Sequence, residues 1–245
     1  GSDSWMAGLV AVESNFLGLQ KTLGLGFFTG SDRNSFTGFY ADPRFLGTEV
    51  GLRLGAGAGR GATVDMDAEE EILREYENWS SGFSLGLSRP LGERLTLNIE
   101  SGYETLEVLN RDQAISPAAD TRIVTLALGA DWKDLVYDIP YQRGIALQGE
   151  LSRSLEFERG EFFTSAEGRL RYALYPWRDH LIHLAVNGAW GDMPAGSQFR
   201  LGGRSGSITL PMGGVAAEEY LNGALAYNLP LNHFYSATLS GQLLF

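Results

Sequence analysis

Alternation with a period of two residues runs through almost the whole chain, and it restricts the fold more than any motif does. From Leu95 the odd positions read Leu95, Leu97, Ile99, Ser101, Tyr103, and the even positions read Thr96, Asn98, Glu100, Gly102, Glu104. The preceding segment sets Trp79, Ser81, Phe83, Leu85 and Leu87 against Ser80, Gly82, Ser84 and Gly86. Similar alternation recurs at 17–27, 50–58, 124–132, 145–151, 164–174, 182–190, 221–229 and 235–245. Successive side chains of a strand point to opposite faces, so each segment predicts a strand with one apolar and one polar face. Two weaker segments, 5–13 and 36–42, bring the expected total to about twelve strands. Helical periodicity is conceivable only in the acidic stretch 65–77, for which a solvated loop is the preferred expectation.

The composition of the two faces decides the class. A soluble sandwich turns its apolar face inward and decorates the other with Lys, Glu and Thr. Here the polar face is rich in Gly, Ser, Asn and Gln with isolated charges: Arg53, Glu100, Glu104, Asp131, Glu150, Glu167, Arg169 and Arg171. The apolar face carries Leu, Val and Ile, with Trp5, Trp79, Trp132, Tyr175, Trp177, Trp190, Tyr227 and Phe245 near strand ends. Apolar strands of about ten residues flanked by aromatic girdles are the pattern of a transmembrane barrel. The expected fold is therefore all-β, a transmembrane antiparallel β-barrel of about twelve strands. It would form a single domain over residues 1–245 and be integral to a Gram-negative outer membrane.

Connections support that expectation by alternating between short and long. Asn15–Gly18, Asp42–Gly47, Arg89–Gly92 and Tyr175–Asp179 are short; 60–75, 110–120 and 192–216 are long. The segment 133–143 departs from the alternation, as a longish connection on the short side.

Charge and residue usage exclude several other classes. With 19 Lys and Arg against 30 Asp and Glu, the net charge of -11 disfavours nucleic acid. No cysteine is present, which removes thiol catalysis and Cys-ligated zinc. His180 and His183 lie three apart on one expected strand, so they face opposite ways and cannot share a metal. No Gly-x-Ser-x-Gly elbow accompanies them, and a lipid hydrolase is only a minor alternative. Asp65, Asp67, Glu69, Glu70 and Glu71 lack the spacing of a calcium loop. The run 55–61, rich in glycine, lacks the Lys-Ser/Thr ending of a phosphate loop and reads as a strand end. No catalytic residue, metal or cofactor is expected.

Three connections are more specific than turn chemistry demands. Asn15-Phe16-Leu17-Gly18 comes first, then Tyr40-Ala41-Asp42-Pro43-Arg44-Phe45-Leu46-Gly47, then Met193–Gly203 with Phe199-Arg200-Leu201-Gly202-Gly203 at its end. Glu219–Leu231, a tyrosine-containing strand, follows. In this order the elements resemble the bacterial surface antigen superfamily of outer-membrane barrels, which includes BamA-like insertases, two-partner secretion transporters and patatin-linked barrels. The similarity runs from about Val12 to about Leu231. It implies a sixteen-stranded barrel, of which this chain is either a part or a shortened relative, usually preceded by periplasmic domains. It further implies a role in protein or lipid transport or assembly, or as the membrane module of a larger polypeptide. A passive structural barrel or small-solute pore is the alternative. Implied partners are outer-membrane lipid, the barrel-assembly machinery, and an upstream periplasmic domain or a second copy of the chain.

The family's sixth-loop tetrapeptide, an Arg-Gly-aromatic sequence, is absent after Gly203, where Gly206-Ser207-Ile208-Thr209-Leu210-Pro211 stands instead. The candidate loop residues are therefore Phe199, Arg200, Leu201, Gly202, Gly203 and Arg204, with either arginine as the anchoring cation. Their expected counterparts are the polar-face charges Glu100, Glu104, Glu150, Glu167, Arg169 and Arg171. The connection at 192–216 concentrates Phe199, Leu201, Ile208, Leu210 and Met212, which a loop folded against a wall can bury and a solvated one cannot. It is expected to enter the lumen.

Overall fold

The computed structural model describes residues 5–31, 33–66, 72–109, 120–138, 141–177, 180–192, 199–201, 215–230 and 236–244. They form β1 (Met6–Phe16), β2 (Lys21–Gly30), β3 (Arg33–Asp42), β4 (Gly51–Met66), β5 (Ile72–Leu91), β6 (Leu95–Val108) and β7 (Thr121–Asp138). These are followed by β8 (Tyr141–Glu156), β9 (Glu161–Trp177), β10 (His180–Gly191), β11 (Phe199–Leu201), β12 (Val215–Ala217), β13 (Glu219–Pro230) and β14 (Ser236–Leu244). The main path of the sheet runs β1 to β10 in sequence, then β13 and β14, which is twelve strands. The ladders β1–β2, β2–β3, β3–β4, β4–β5, β9–β10, β10–β13 and β13–β14 are all antiparallel. No helix of the described residues is long and apolar enough to cross a membrane, so any crossing would be by strands.

Two compact units make up the chain: Gly1–Pro90 with Asn98–Leu128 and Ser152–Phe163, and Leu91–Leu97 with Gly129–Leu151 and Thr164–Phe245. In the first, the polar face of β4 is nearly bare. Arg53, Gly55, Gly57, Gly59 and Gly61 alternate along it and stand opposite Gly86, Ser84, Gly82, Ser80 and Asn78 of β5. Close backbone approach holds some of these glycines. A Cβ on Gly59 would lie 2.8 Å from the Asn34 carbonyl oxygen, and one on Gly82 the same distance from that of Tyr103. In the second unit, Ala185, Asn187 and Ala189 of β10 align with Arg171, Arg169 and Glu167 of β9 and with Ala224, Asn222 and Tyr220 of β13.

Burial runs opposite to that of a water-soluble domain. Phe83, Leu128, Leu151, Trp190 and Leu225 are all more than half exposed, whereas Asn78, Ser154, Glu156 and Asn222 are buried. Adjacent residues of a single strand show the same inversion, with Ala127 at 6% exposure and Leu128 at 56%.

Several boundaries differ from the sequence expectation. The acidic stretch 65–77 is neither helix nor one long loop: Asp65 and Met66 continue β4, and β5 begins at Ile72. Register explains the extension, since Ala62 through Asp65 stay paired with Glu77 through Arg74. Long strands thus absorb most of what reads as a loop. The connection expected at 133–143 shrinks likewise, because β7 continues to Asp138 and β8 starts at Tyr141. Conversely, residues 17–20 form a turn, and β2 begins only at Lys21.

Candidate functional site

Two turns carry the motif residues, and they share one geometry. In Phe16-Leu17-Gly18-Leu19 the Leu19 N–H donates to the Phe16 carbonyl at 3.3 Å, and in Phe45-Leu46-Gly47-Thr48 the Thr48 N–H donates to Phe45 at 3.1 Å. Both central pairs are left-handed: Leu17 and Gly18 at φ 57° and 69°, Leu46 and Gly47 at φ 54° and 75°. Positive φ at both central residues is the type I′ turn, which suits the twist of a hairpin but favours Asn and Gly at its first position. Leucine there is strained, and both leucines project into solvent, at 75% and 83% exposure.

Side chains lock the flanks of these turns. Asn15 accepts the Gln20 N–H at 3.0 Å, and Asp42 accepts the Arg44 N–H at 3.0 Å. Lys21 Nζ lies 3.1 Å from the Asp42 carboxylate, joining the start of β2 to the end of β3. The Tyr40 hydroxyl donates to the same carboxylate at 3.4 Å.

The expected polar-face residues divide between the two units. In the second, Arg169 donates from Nε to Asn187 Oδ1 at 3.0 Å, and Gln148 donates to Asp131 Oδ1 at 2.6 Å. Tyr220 sits in the electrostatic field of Glu167 and Arg169. In the first, Glu100 comes beside Gly86, where an added Cβ would lie 3.7 Å from both its Oε2 and the Arg53 Cβ. In the first unit also, Thr125 and Ser154 share a hydroxyl bond of 2.7 Å, and Ser154 is buried. Glu156 continues the face of Ser154 at the end of β8. It is fully buried, with Arg159 Nε at 3.7 Å, and among the described residues neither carboxylate oxygen has a hydrogen-bond partner. Sequence reasoning missed Glu156, because the alternation Glu150, Ser152, Ser154, Glu156 places it on the polar face without marking it as enclosed.

The loop candidates are only partly visible. Phe199, Arg200 and Leu201 form β11, paired with Ala217, Ala216 and Val215 of β12, so the motif opens a short antiparallel ribbon inside the long connection. Gly202, Gly203 and Arg204 lie outside the described residues, as do Asp67, Glu69, Glu70 and Glu71. Among the described residues no cluster of His, Cys, Asp or Glu could hold a metal ion. His180 and His183 fall on opposite faces: His183 aligns with Ala173 and Ala226, and the His180 ring bonds the Tyr227 hydroxyl.

Comparison with known proteins matches the Omp85 superfamily domain over residues 15–205. No curated protein sequence matches the chain. Among solved structures, BamA from Haemophilus ducreyi lacking POTRA domains 1–3 superposes with a TM-score of 0.69 at 14% identity, covering 99% of this chain and 55% of that one. CdiB from Acinetobacter baumannii gives 0.65 at 14% identity, covering all of this chain and 47% of that one. The chain thus spans about half the length of these structures. The likeness establishes the fold class, an antiparallel β-barrel of the outer-membrane kind.

Proposed function

Because the chain belongs to the Omp85 superfamily, we propose that it is an integral outer-membrane protein acting in protein or lipid transport or assembly, as the membrane part of such a machine. The observation that carries this reading is the inverted burial: Phe83 and Leu128 bare, Asn222 and Glu156 enclosed. Exposed apolar strands are costly in water and stable in hydrocarbon, where every backbone polar group must be paired within the sheet. The polar face then lines a lumen. The connection at 192–216 enters it, with Arg200 or Arg204 meeting one of the carboxylates Glu100, Glu104, Glu150 or Glu167. The β11–β12 ribbon supports a compact loop of that kind. Partners would be outer-leaflet and inner-leaflet lipid, the barrel-assembly machinery during biogenesis, and a periplasmic domain or second copy. The role is not enzymatic in this reading, which the opposed faces of His180 and His183 support.

Reconstitution tests it. The chain is folded into phospholipid vesicles, and the insertion of an unfolded outer-membrane client is followed by heat-modifiable gel migration. Faster client folding than in protein-free vesicles is expected. Equal rates, accompanied by a steady conductance that survives Arg200→Ala/Arg204→Ala, would turn the reading to a passive pore.

A further inference from the structure

Three arginines occupy the apolar outer face near the strand ends that border the connections 67–71, 109–120 and 157–160, all within the first unit. Arg60 pairs with Glu77 at 2.5 Å, and Arg122 pairs with Glu158 at 3.3 Å. Arg153 differs. Among the described residues it has no acidic partner, and its guanidinium lies over the Phe162 ring, 5.0 Å from the centroid. Its orientation follows from its neighbour: Ser154 bonds Thr125 and is buried, so Arg153, next along the strand, points to the opposite, exposed face. Phe157 and Phe162 are more than half exposed at the same end.

From this arrangement we infer that Arg153, stacked on Phe162 at the exposed end of β8, is a seat for the phosphate of an outer-leaflet glycolipid. The inference rests on the membrane reading above and adds a ligand to it. Arg153 lies three residues before the end of β8, roughly 10 Å along the strand at about 3.3 Å per residue. An arginine on a lipid-facing strand costs little at the interface and more with depth, so an unmatched one near the boundary gains from an anion at its own level. The ring face beneath holds the cation in place without neutralising it, leaving its N–H donors available. Phosphate accepts that planar fork through two oxygens. The end concerned is the one bearing the twelve-residue connection 109–120, whereas the opposite end of β1 and β2 is closed by the four-residue turn 17–20. Longer connections mark the cell-surface side, where the leaflet is a phosphorylated glycolipid.

The experiment uses the whole chain in phosphatidylcholine nanodiscs doped with bis-phosphorylated lipid A, with dephosphorylated lipid A and inorganic phosphate as separate arms. Co-purifying lipid is measured by native mass spectrometry. Phosphorylated lipid A is expected to be retained, the dephosphorylated form and free phosphate not. Arg153→Ala should lower retention about tenfold or more, Phe162→Leu should lower it less, and Arg153→Lys should restore part of it. Heat-modifiable migration of each variant verifies folding independently. Retention unchanged in a folded Arg153→Ala variant, or equal for dephosphorylated lipid, overturns the site while leaving the membrane reading intact. A chain that never enters nanodiscs overturns both.

Discussion

Arg169 and Asn187 face each other across the β9–β10 ladder, and the guanidinium Nε donates to the amide oxygen at 3.0 Å. Asn187 is in register with Asn222, one of the few polar residues that is almost wholly enclosed. Three adjacent strands thus carry polar side chains at one level, in a place where a soluble sheet would put leucine. Arg169 itself is exposed, so the bond is worth little alone. Replacing Asn187 with Ala and Arg169 with Met should show a coupling of less than about 1 kcal/mol in a double-mutant cycle on the unfolding midpoint. A larger coupling would mean that the pair, and not Asn222, fixes the local register.

The outer face gives a steeper expectation. Leu128, near the middle of β7, should cost about 2–4 kcal/mol when changed to Arg, if that position is at mid-bilayer. Arg171→Gln, on the polar face of β9, should cost less than about 1 kcal/mol. Urea titrations of folding into vesicles measure both. Similar costs at the two sites would contradict the assignment of faces.

Much of this was legible in the residues because strand periodicity is local. The alternation of Leu95 through Glu104 needs no knowledge of neighbours to be read, and the pattern located all twelve strands of the main path. Boundaries were less visible: the acids and glycines of 60–66 and 72–77 look like loop, yet cross-strand pairing carries them into β4 and β5. The fully enclosed carboxylate Glu156 was missed for a related reason. Nothing in its sequence distinguishes it from Glu158 two residues on, which emerges to pair with Arg122; only the packing around the chain decides which is enclosed. The left-handed Leu17 and Leu46 were likewise invisible, since leucine signals no turn.

Those two leucines yield a prediction of opposite sign to most. Leu17→Gly and Leu46→Gly relieve a left-handed backbone that costs a branched residue about 1–2 kcal/mol. Each should raise the folding midpoint, less whatever the greater freedom of glycine in the unfolded chain removes. Client insertion should be measured on the same samples. A gain in stability accompanied by a loss of activity would show that the exposed side chains contact a partner, whereas gains in both would make them incidental.

Glu156→Gln removes a buried charge while keeping its size. Arg159 Nε, at 3.7 Å, is too far for a good hydrogen bond, and among the described residues neither oxygen has a hydrogen-bond partner. The variant should therefore unfold at the same or a higher urea concentration than the parent. Destabilisation by about 3 kcal/mol or more would mean that the ion pair outweighs the burial of its charge.

A sheet that leaves Leu128 and Phe83 bare and encloses Glu156 has no fixed reference solvent. In an ordinary domain the apolar interior is supplied by the chain itself, and a melting temperature belongs to the polypeptide. In the membrane reading proposed above, the outward side chains meet whatever amphiphile is present, which binds the folded form and shifts its apparent stability by mass action. Two laboratories using detergents of different chain length would be measuring different thermodynamic systems, and their mutant rankings for outward residues need not agree. Rankings for enclosed positions such as Ser154 and Asn222 should transfer between them, because those side chains meet the same neighbours in every medium.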